Sequence, residues 1–199
     1  MIGQQNYTVI LTYGNLIFGV IGMFLSLQGN IAGGVTLLVI AGICDMFDGA
    51  VANTKKNRSE DEMAYGIQID SLADLISFCC LPAIMGYSLG NESFIAILIY
   101  VFFILAGLIR LSHYNVTEMS RKEKKREPRT YYEGLPVTSV ACILPLLFIL
   151  SNVLNLDLAS IYTYILAIIG LLFITKVKIK KINVAKLFKM HEEKQEKNI

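Results

Sequence analysis

The first 44 residues contain no Asp, Glu, Lys or Arg. An uncharged stretch of that length holds two bilayer crossings of about 20 residues each. Gln28, Gly29 and Asn30 supply the turn between them. Four further uncharged runs follow, at 75–91, 93–109, 134–156 and 158–175. The run at 75–91 is shorter than a crossing. It spans only if its helix begins earlier, near Gly66, which puts Asp70 and Asp74 inside that helix. The pattern predicts an all-α integral membrane protein with six transmembrane helices.

The polar intervals organise the rest. Residues 1–9 mix polar and apolar positions and are expected along the membrane surface. Residues 53–65 read as a charged loop. The most charged stretch is 116–130, where Glu118 and Lys122 are spaced to pair across a helical turn and Pro128 marks a helix end. Beyond Thr175, lysines alternate with Ile, Val, Leu and Phe, as in a helix lying on an anionic surface. We read one membrane domain, 1–180, followed by a basic tail, 181–199.

Composition agrees with this reading: 54% of residues are hydrophobic and the mean hydropathy is +0.55, values uncommon in soluble domains. The N-terminus lacks a basic n-region, so no cleavable signal is expected. The net charge of +2 says little, but its placement says more. All 18 Lys and Arg residues fall on one side of the six-helix arrangement: at 55–58, at 110–129 and from Lys176 onward. The positive-inside rule then places both termini in the cytoplasm. The four cysteines, Cys44, Cys79, Cys80 and Cys142, lie in apolar segments without metal-type spacing and read as small buried hydrophobes.

Against this apolar background four aspartates stand out: Asp45, Asp48, Asp70 and Asp74. At about 100° per residue, Asp45, Asp48, Gly49 and Ala52 share one helical face, and Gly66, Asp70 and Asp74 share another. Facing helices would offer four carboxylates beside three very small residues. A carboxylate at mid-bilayer costs about 2.5–3.5 kcal/mol on insertion scales. Grouped acids add repulsion, and bound cations offset both terms. Mg²⁺ and Mn²⁺ favour oxygen ligands and bridge carboxylates to phosphates, and two such ions about 3.5–4 Å apart clamp a phosphoryl group. Helix-end acids paired with nearby lysines are the plainer reading of the aspartates, and close helix packing is the plainer reading of the small residues.

The pattern Asp45-x2-Asp48-Gly49-x2-Ala52, then Gly66-x3-Asp70-x3-Asp74, resembles the signature of the CDP-alcohol phosphotransferase family. That signature has Arg after the Ala, where this chain has Asn53, and a shorter interval before the second Gly. Arg58 or Lys55 could supply the missing charge. LTYGNL, DSLADLISF, LIRLSHYN and YYEGLP are similar to the family's phosphatidylserine synthase branch. The resemblance implies transfer of a lipid phosphatidyl group (or an archaeal ether-lipid analogue) from a CDP-activated donor to L-serine, with release of CMP at the cytoplasmic face of a prokaryotic membrane. It implies that Asp45, Asp48, Asp70 and Asp74 ligate metal and that Asp74 is the general base. It places Asp45, Gly49, Ala52, Gly66 and Asp70 at the nucleotide, and it implies a homodimer. Asn15 and Arg58 are added to the nucleotide set, although Asn15, like Thr12, could equally pack. Arg110 and Glu133 are candidates for the acceptor's carboxylate and ammonium. No nucleic-acid partner is expected. The alternatives are a different acceptor (glycerol phosphate or an inositol phosphate), a cation transporter with aspartates along its path, and a non-catalytic scaffold.

Overall fold

In the computed structural model the uncharged N-terminal stretch forms two antiparallel helices, α1 (Ile10–Leu27) and α2 (Ile31–Ala52), after a single 3₁₀ turn at Tyr7–Val9. The structure describes residues 7–52, 54–55, 59–123, 131–175 and 178–180. At 118, 120–123, 131–133 and 178–180 it describes the backbone alone. Residues 1–6, Pro128 and the 181–199 tail therefore lie outside the described residues, as does the Glu118–Lys122 pairing.

The predicted turn closes α1 with a left-handed glycine. Gly29 has φ +83°, its N–H donates to Ser26 O at 2.9 Å, and the Asn30 N–H reaches back to Leu25 O at 2.9 Å. The Asn30 side chain then caps α2 by accepting from the Gly33 N–H at 2.9 Å. The two helices pack closely because their contact is built from small residues: a Cβ on Gly34 would run into the Ser26 hydroxyl.

The third crossing starts earlier than the sequence suggested. α3 (Glu60–Leu75) opens at Ser59, which accepts from the Glu62 N–H at 3.1 Å while Glu62 accepts from the Ser59 N–H at 3.1 Å. This reciprocal cap, with Glu60, Asp61 and Glu62 complementing the helix dipole, recruits residues whose charge had read as loop. The polar interval before α3 thus ends at Ser59 instead of Tyr65. The helix continues through a π segment (Ile76–Cys80) into α4 (Leu81–Ser88). α5 (Phe94–Glu123) follows and runs 30 residues, or about 45 Å, so it extends beyond the hydrocarbon core.

α6 (Val140–Leu154) and α7 (Leu158–Ile174) complete six apolar helical segments, counting α3–α4 as one. Five are long enough to cross by length and composition, and α7, at 17 residues, is at the short limit. The chain is an all-α integral membrane protein with one small addition. Tyr131–Glu133 (β1) pairs antiparallel with Lys178–Lys180 (β2), where a surface helix had been expected to begin.

The core lies between α2, the π segment, α5, α6 and α7, where Leu38, Phe78, Cys79, Phe103, Val140 and Leu166 are inaccessible to solvent. Phe103 and Phe173 join α5 to α7 with ring centroids 5.5 Å apart. Of the cysteines, Cys79 is buried as expected, whereas Cys142 is exposed on the outer face of α6.

Candidate active site and metal centre

α1 is the scaffold on which the acids are placed, since it packs against both α2 and α3. Its buried face presents Thr12, Asn15 and Gly19 in succession. Thr12 Oγ1 donates to Asp48 Oδ2 on α2 at 3.1 Å. Asn15 Nδ2 donates to Asp74 Oδ1 on α3 at 2.9 Å. Ser77, in the π segment, donates to the Asn15 backbone carbonyl at 3.0 Å, an approach that is possible only because residue 19 is glycine. The π segment begins just after Asp74 and packs against α5 in the same manner, with Cys79 Sγ filling the space a side chain on Gly107 would need. Single π turns of this kind re-aim the helical face that precedes them.

Asp45, Asp70 and Asp74 are brought together, with one carboxylate oxygen from each lying within 4.8 Å of the others. Asp48 stands one helical turn further along α2, interacts electrostatically with Asp45 and Asp70, and is tethered to Thr12. Three of the four sequence-selected acids thus form a tight group and the fourth borders it. Asp74 is buried, and Asp70 Oδ1 is buried with no hydrogen-bond partner among the described residues. Converging carboxylates with an orphaned oxygen, in an environment poorer in water than bulk, make a site that a divalent cation would complete. The donor set is all oxygen and suits a hard ion.

A cavity of ≈ 180 Å³ opens beside the acids. It is lined by Asp45, Asp70 and Asp74 together with Arg110, Leu111, Tyr114, Pro136, Val137 and Thr138. Arg110 is buried in this lining, where Nε donates to Leu135 O at 3.1 Å and Nη2 to Gly134 O at 3.1 Å. Gly49 lies at the exposed end of the acidic face, and a Cβ added there meets no atom within 4 Å. Ala52 and Gly66 are half-buried near the same end.

Other sequence-selected residues are placed differently. Asn15 is fully buried beneath Asp74, outside the cavity lining. Lys55 is paired with Glu62 at 2.6 Å, which ties the interval before α3 to the helix it precedes. Arg58 lies outside the described residues, as does the side chain of Glu133, whose backbone is in β1. Tyr114 and Thr138 were not singled out from the sequence. Tyr114 follows Arg110 by four residues, and that helical spacing was the available signal. Thr138 closes the Gly134-Leu135-Pro136 stretch, and nothing in the sequence separates it from a lipid-facing threonine.

A family model described as CDP-alcohol phosphatidyltransferase matches residues 5–176. The curated relatives include a CDP-diacylglycerol–serine O-phosphatidyltransferase of Saccharomyces cerevisiae, 36% identical over 122 residues, covering 60% of this chain and 43% of that protein. An archaetidylserine synthase of Methanothermobacter thermautotrophicus is 28% identical over 166 residues, covering 83% of this chain and 65% of that protein. A Bacillus subtilis CDP-diacylglycerol–serine O-phosphatidyltransferase is 32% identical over 111 residues, 55% of this chain and 60% of that protein. The chain spans less than two thirds of the length of each of these three relatives. The family match runs from ahead of α1 to past the end of α7 and takes in every acid of the cluster, so the chain belongs to the CDP-alcohol phosphatidyltransferase family.

Proposed function

We propose that this protein transfers the phosphatidyl group of CDP-diacylglycerol, or the archaetidyl group of its ether-lipid counterpart, to the hydroxyl of L-serine. The observation that carries the reading is the convergence of Asp45, Asp70 and Asp74 at a cavity also lined by Arg110, Tyr114 and Thr138. A small cavity with one arginine suits a small zwitterionic acceptor better than an inositol phosphate, which calls for several cations. The names of the relatives, two serine O-phosphatidyltransferases and an archaetidylserine synthase, support the same acceptor.

Asp45, Asp70 and Asp74, with Asp48 beside them, would hold one or two Mg²⁺ or Mn²⁺ ions. When bound, these neutralise the charge of the donor's pyrophosphate. The remaining chemistry belongs to the chain. Asp74 accepts the proton of the serine hydroxyl as its oxygen forms a bond to the lipid-side phosphorus. The bond from that phosphorus to the CMP oxygen breaks, and CMP leaves with the electron pair. Asn15 holds Asp74 in place from beneath. The open space at Gly49, with Ala52, Gly66 and Arg58 nearby in the chain, receives the nucleotide. Arg110 and Glu133 remain the candidates for the acceptor's charged groups. The reading includes an acid cluster facing the cytoplasm, supported by the confinement of Lys and Arg to the sequence intervals 55–58, 110–129 and 176 onward. It also includes a homodimer in a prokaryotic cytoplasmic membrane.

The test is incorporation of radiolabelled serine into lipid by reconstituted protein, with and without chelator, beside a panel of alcohols assayed for CMP release. Chelator-sensitive incorporation is expected. CMP release with glycerol phosphate and none with serine refutes the acceptor assignment.

A further inference from the structure

Besides the acids, the cavity is lined by Pro136, Val137 and Thr138, which lie between β1 and α6 where a 3₁₀ turn (Val137–Ser139) begins. Ser139 closes this turn by donating its N–H to Pro136 O at 3.1 Å, a local bond that shapes the turn but does not set where it sits against the rest of the bundle, so an accurate wall needs external ties. Four are present. Arg110 donates from α5 to the Gly134 and Leu135 carbonyls, each at 3.1 Å. The Leu135 N–H donates to Leu172 O on α7 at 3.3 Å. Gly134 sits at φ +89° so close to the end of α7 that a Cβ would lie 2.9 Å from Thr175 O and 3.2 Å from Phe173 O. The chain after α7 then returns as β2 and pairs Lys178 with Glu133, Ile179 with Tyr132 and Lys180 with Tyr131. None of Leu172, Thr175 or β2 lines the cavity.

We propose that the end of α7 and β2 act as a positioning element for the acceptor pocket, setting the Pro136–Thr138 wall through Gly134 and Leu135 while the metal and nucleotide side is held separately by α1. This rests on the reading of the cavity as the acceptor's place. The division of labour follows from the side-chain contacts: the Thr12 and Asn15 side chains donate to aspartates, whereas Arg110, Leu172 and β2 hold the 131–135 stretch, with Arg110 also lining the cavity. Loosening the second set therefore disturbs acceptor binding and leaves the first set intact.

Two full-length variants test it. Gly134→Ala puts a methyl group against the Thr175 and Phe173 carbonyls and removes the residue suited to φ +89°. Ile179→Pro takes an N–H and conformational freedom from the middle of β2, opposite Tyr132. The alcohol panel on the unmodified protein fixes which acceptor is used, and the variants are assayed with that acceptor. If the acceptor is not serine, the functional reading falls and the positioning element is still tested. For both variants we expect the acceptor KM to rise at least about ten-fold with kcat within about three-fold of the parent, the signature of lost acceptor binding. Mn²⁺ affinity, read by electron paramagnetic resonance, stays unchanged. Amide hydrogen exchange at 135–139, which needs no turnover, accelerates about ten-fold or more while that at 38–45 does not. A parent-like KM and parent-like exchange in Ile179→Pro overturn the proposal. So does a loss of Mn²⁺ binding in step with the KM change, because the ribbon would then be a general structural support.

Discussion

Asn15 could from the sequence either touch the nucleotide or pack, and in the structure it lies beneath Asp74, where replacing it by leucine tests a positioning role. The side chain is fully buried. Its amide donates to Asp74 Oδ1 at 2.9 Å, while its own Oδ1 is buried with no partner among the described residues. Asn15→Leu keeps similar bulk and removes both polar atoms. Loss of a hydrogen bond to a charged group costs about 1.5–3 kcal/mol, and removal of an unsatisfied buried acceptor returns about 1–3 kcal/mol. In the metal-free protein these nearly cancel, so thermal stability in detergent should stay within a few degrees of the parent.

Metal binding has no such offset. It needs an ionised and correctly aimed Asp74, and the donor that favours both is gone. Partners of this kind, one step behind the ligands, contribute about ten- to hundred-fold to metal affinity, in line with the 1.5–3 kcal/mol above at about 1.4 kcal/mol per decade. Mn²⁺ titration followed by electron paramagnetic resonance, without substrate, should therefore show about ten- to hundred-fold weaker binding beside an unchanged melting curve. Parent-like Mn²⁺ affinity refutes the positioning role. A collapse of the melting curve would show that the amide holds α1 to α3 and does not serve the site.

Three further outcomes follow from other contacts. Asp74→Asn should lower turnover by about 10²–10⁴-fold, the usual contribution of a general base, while binding of the CDP-lipid, followed by filter or fluorescence assay, remains detectable. Gly49→Phe points a ring into space the protein leaves open, so the fold should be unaffected while the donor KM rises at least about ten-fold; an unchanged KM would place the nucleotide elsewhere. Gly107→Ala drives a methyl group into Cys79 Sγ and should destabilise the protein by about 1–3 kcal/mol. Adding Cys79→Ala should recover most of that loss, a coupling that denaturation of the two single variants and the double variant measures directly.

The features legible in the sequence were those written in charge and periodicity. The number of apolar segments, the turn at Gly29 and the grouping of Asp45, Asp70 and Asp74 all follow from spacing, because an insertion-competent helix has little freedom to hide a carboxylate. The start of α3 was misread for the opposite reason. Glu60, Asp61 and Glu62 look like loop residues by polarity, yet at a helix N-terminus beyond the apolar core they are stabilising, and only the Ser59–Glu62 reciprocal cap distinguishes the two cases. Asn15 stands out for its place near the start of α1, but its role depends on what lies 59 residues away, which no local pattern encodes. Arg110 is similar. Its position at the site was expected, but its commitment to the Gly134 and Leu135 carbonyls arises from tertiary contact. The β1–β2 ribbon joins three-residue strands too short for a period-2 signal and separated by all of α6 and α7.

The arrangement of polar groups with depth also decides between a reaction site and an ion path. A path needs groups that can replace hydration at every level of the membrane. Beneath Asp74 the described residues close instead into an apolar plug: Leu38 and Ala41 from α2, Phe78 and Cys79 from the π segment, Phe103 and Ala106 from α5, and Val140 from α6. Ser77 is the polar side chain at this level in the π segment, and its hydroxyl is directed to the Asn15 carbonyl. At the far end Thr163 is held by Asn91 Nδ2 at 2.9 Å and by the Tyr100 hydroxyl at 2.9 Å, and the Tyr162 hydroxyl donates to Pro82 O at 3.0 Å. These groups are satisfied by one another, so the network locks α4, α5 and α7 together without offering ligands to a passing cation. On the proposed reading a cation bound by the aspartates would enter and leave by the same end of the bundle. The proposed transfer calls for such a one-ended site, since the acyl chains of a lipid donor would stay in the bilayer while its pyrophosphate met the attacking alcohol at the surface.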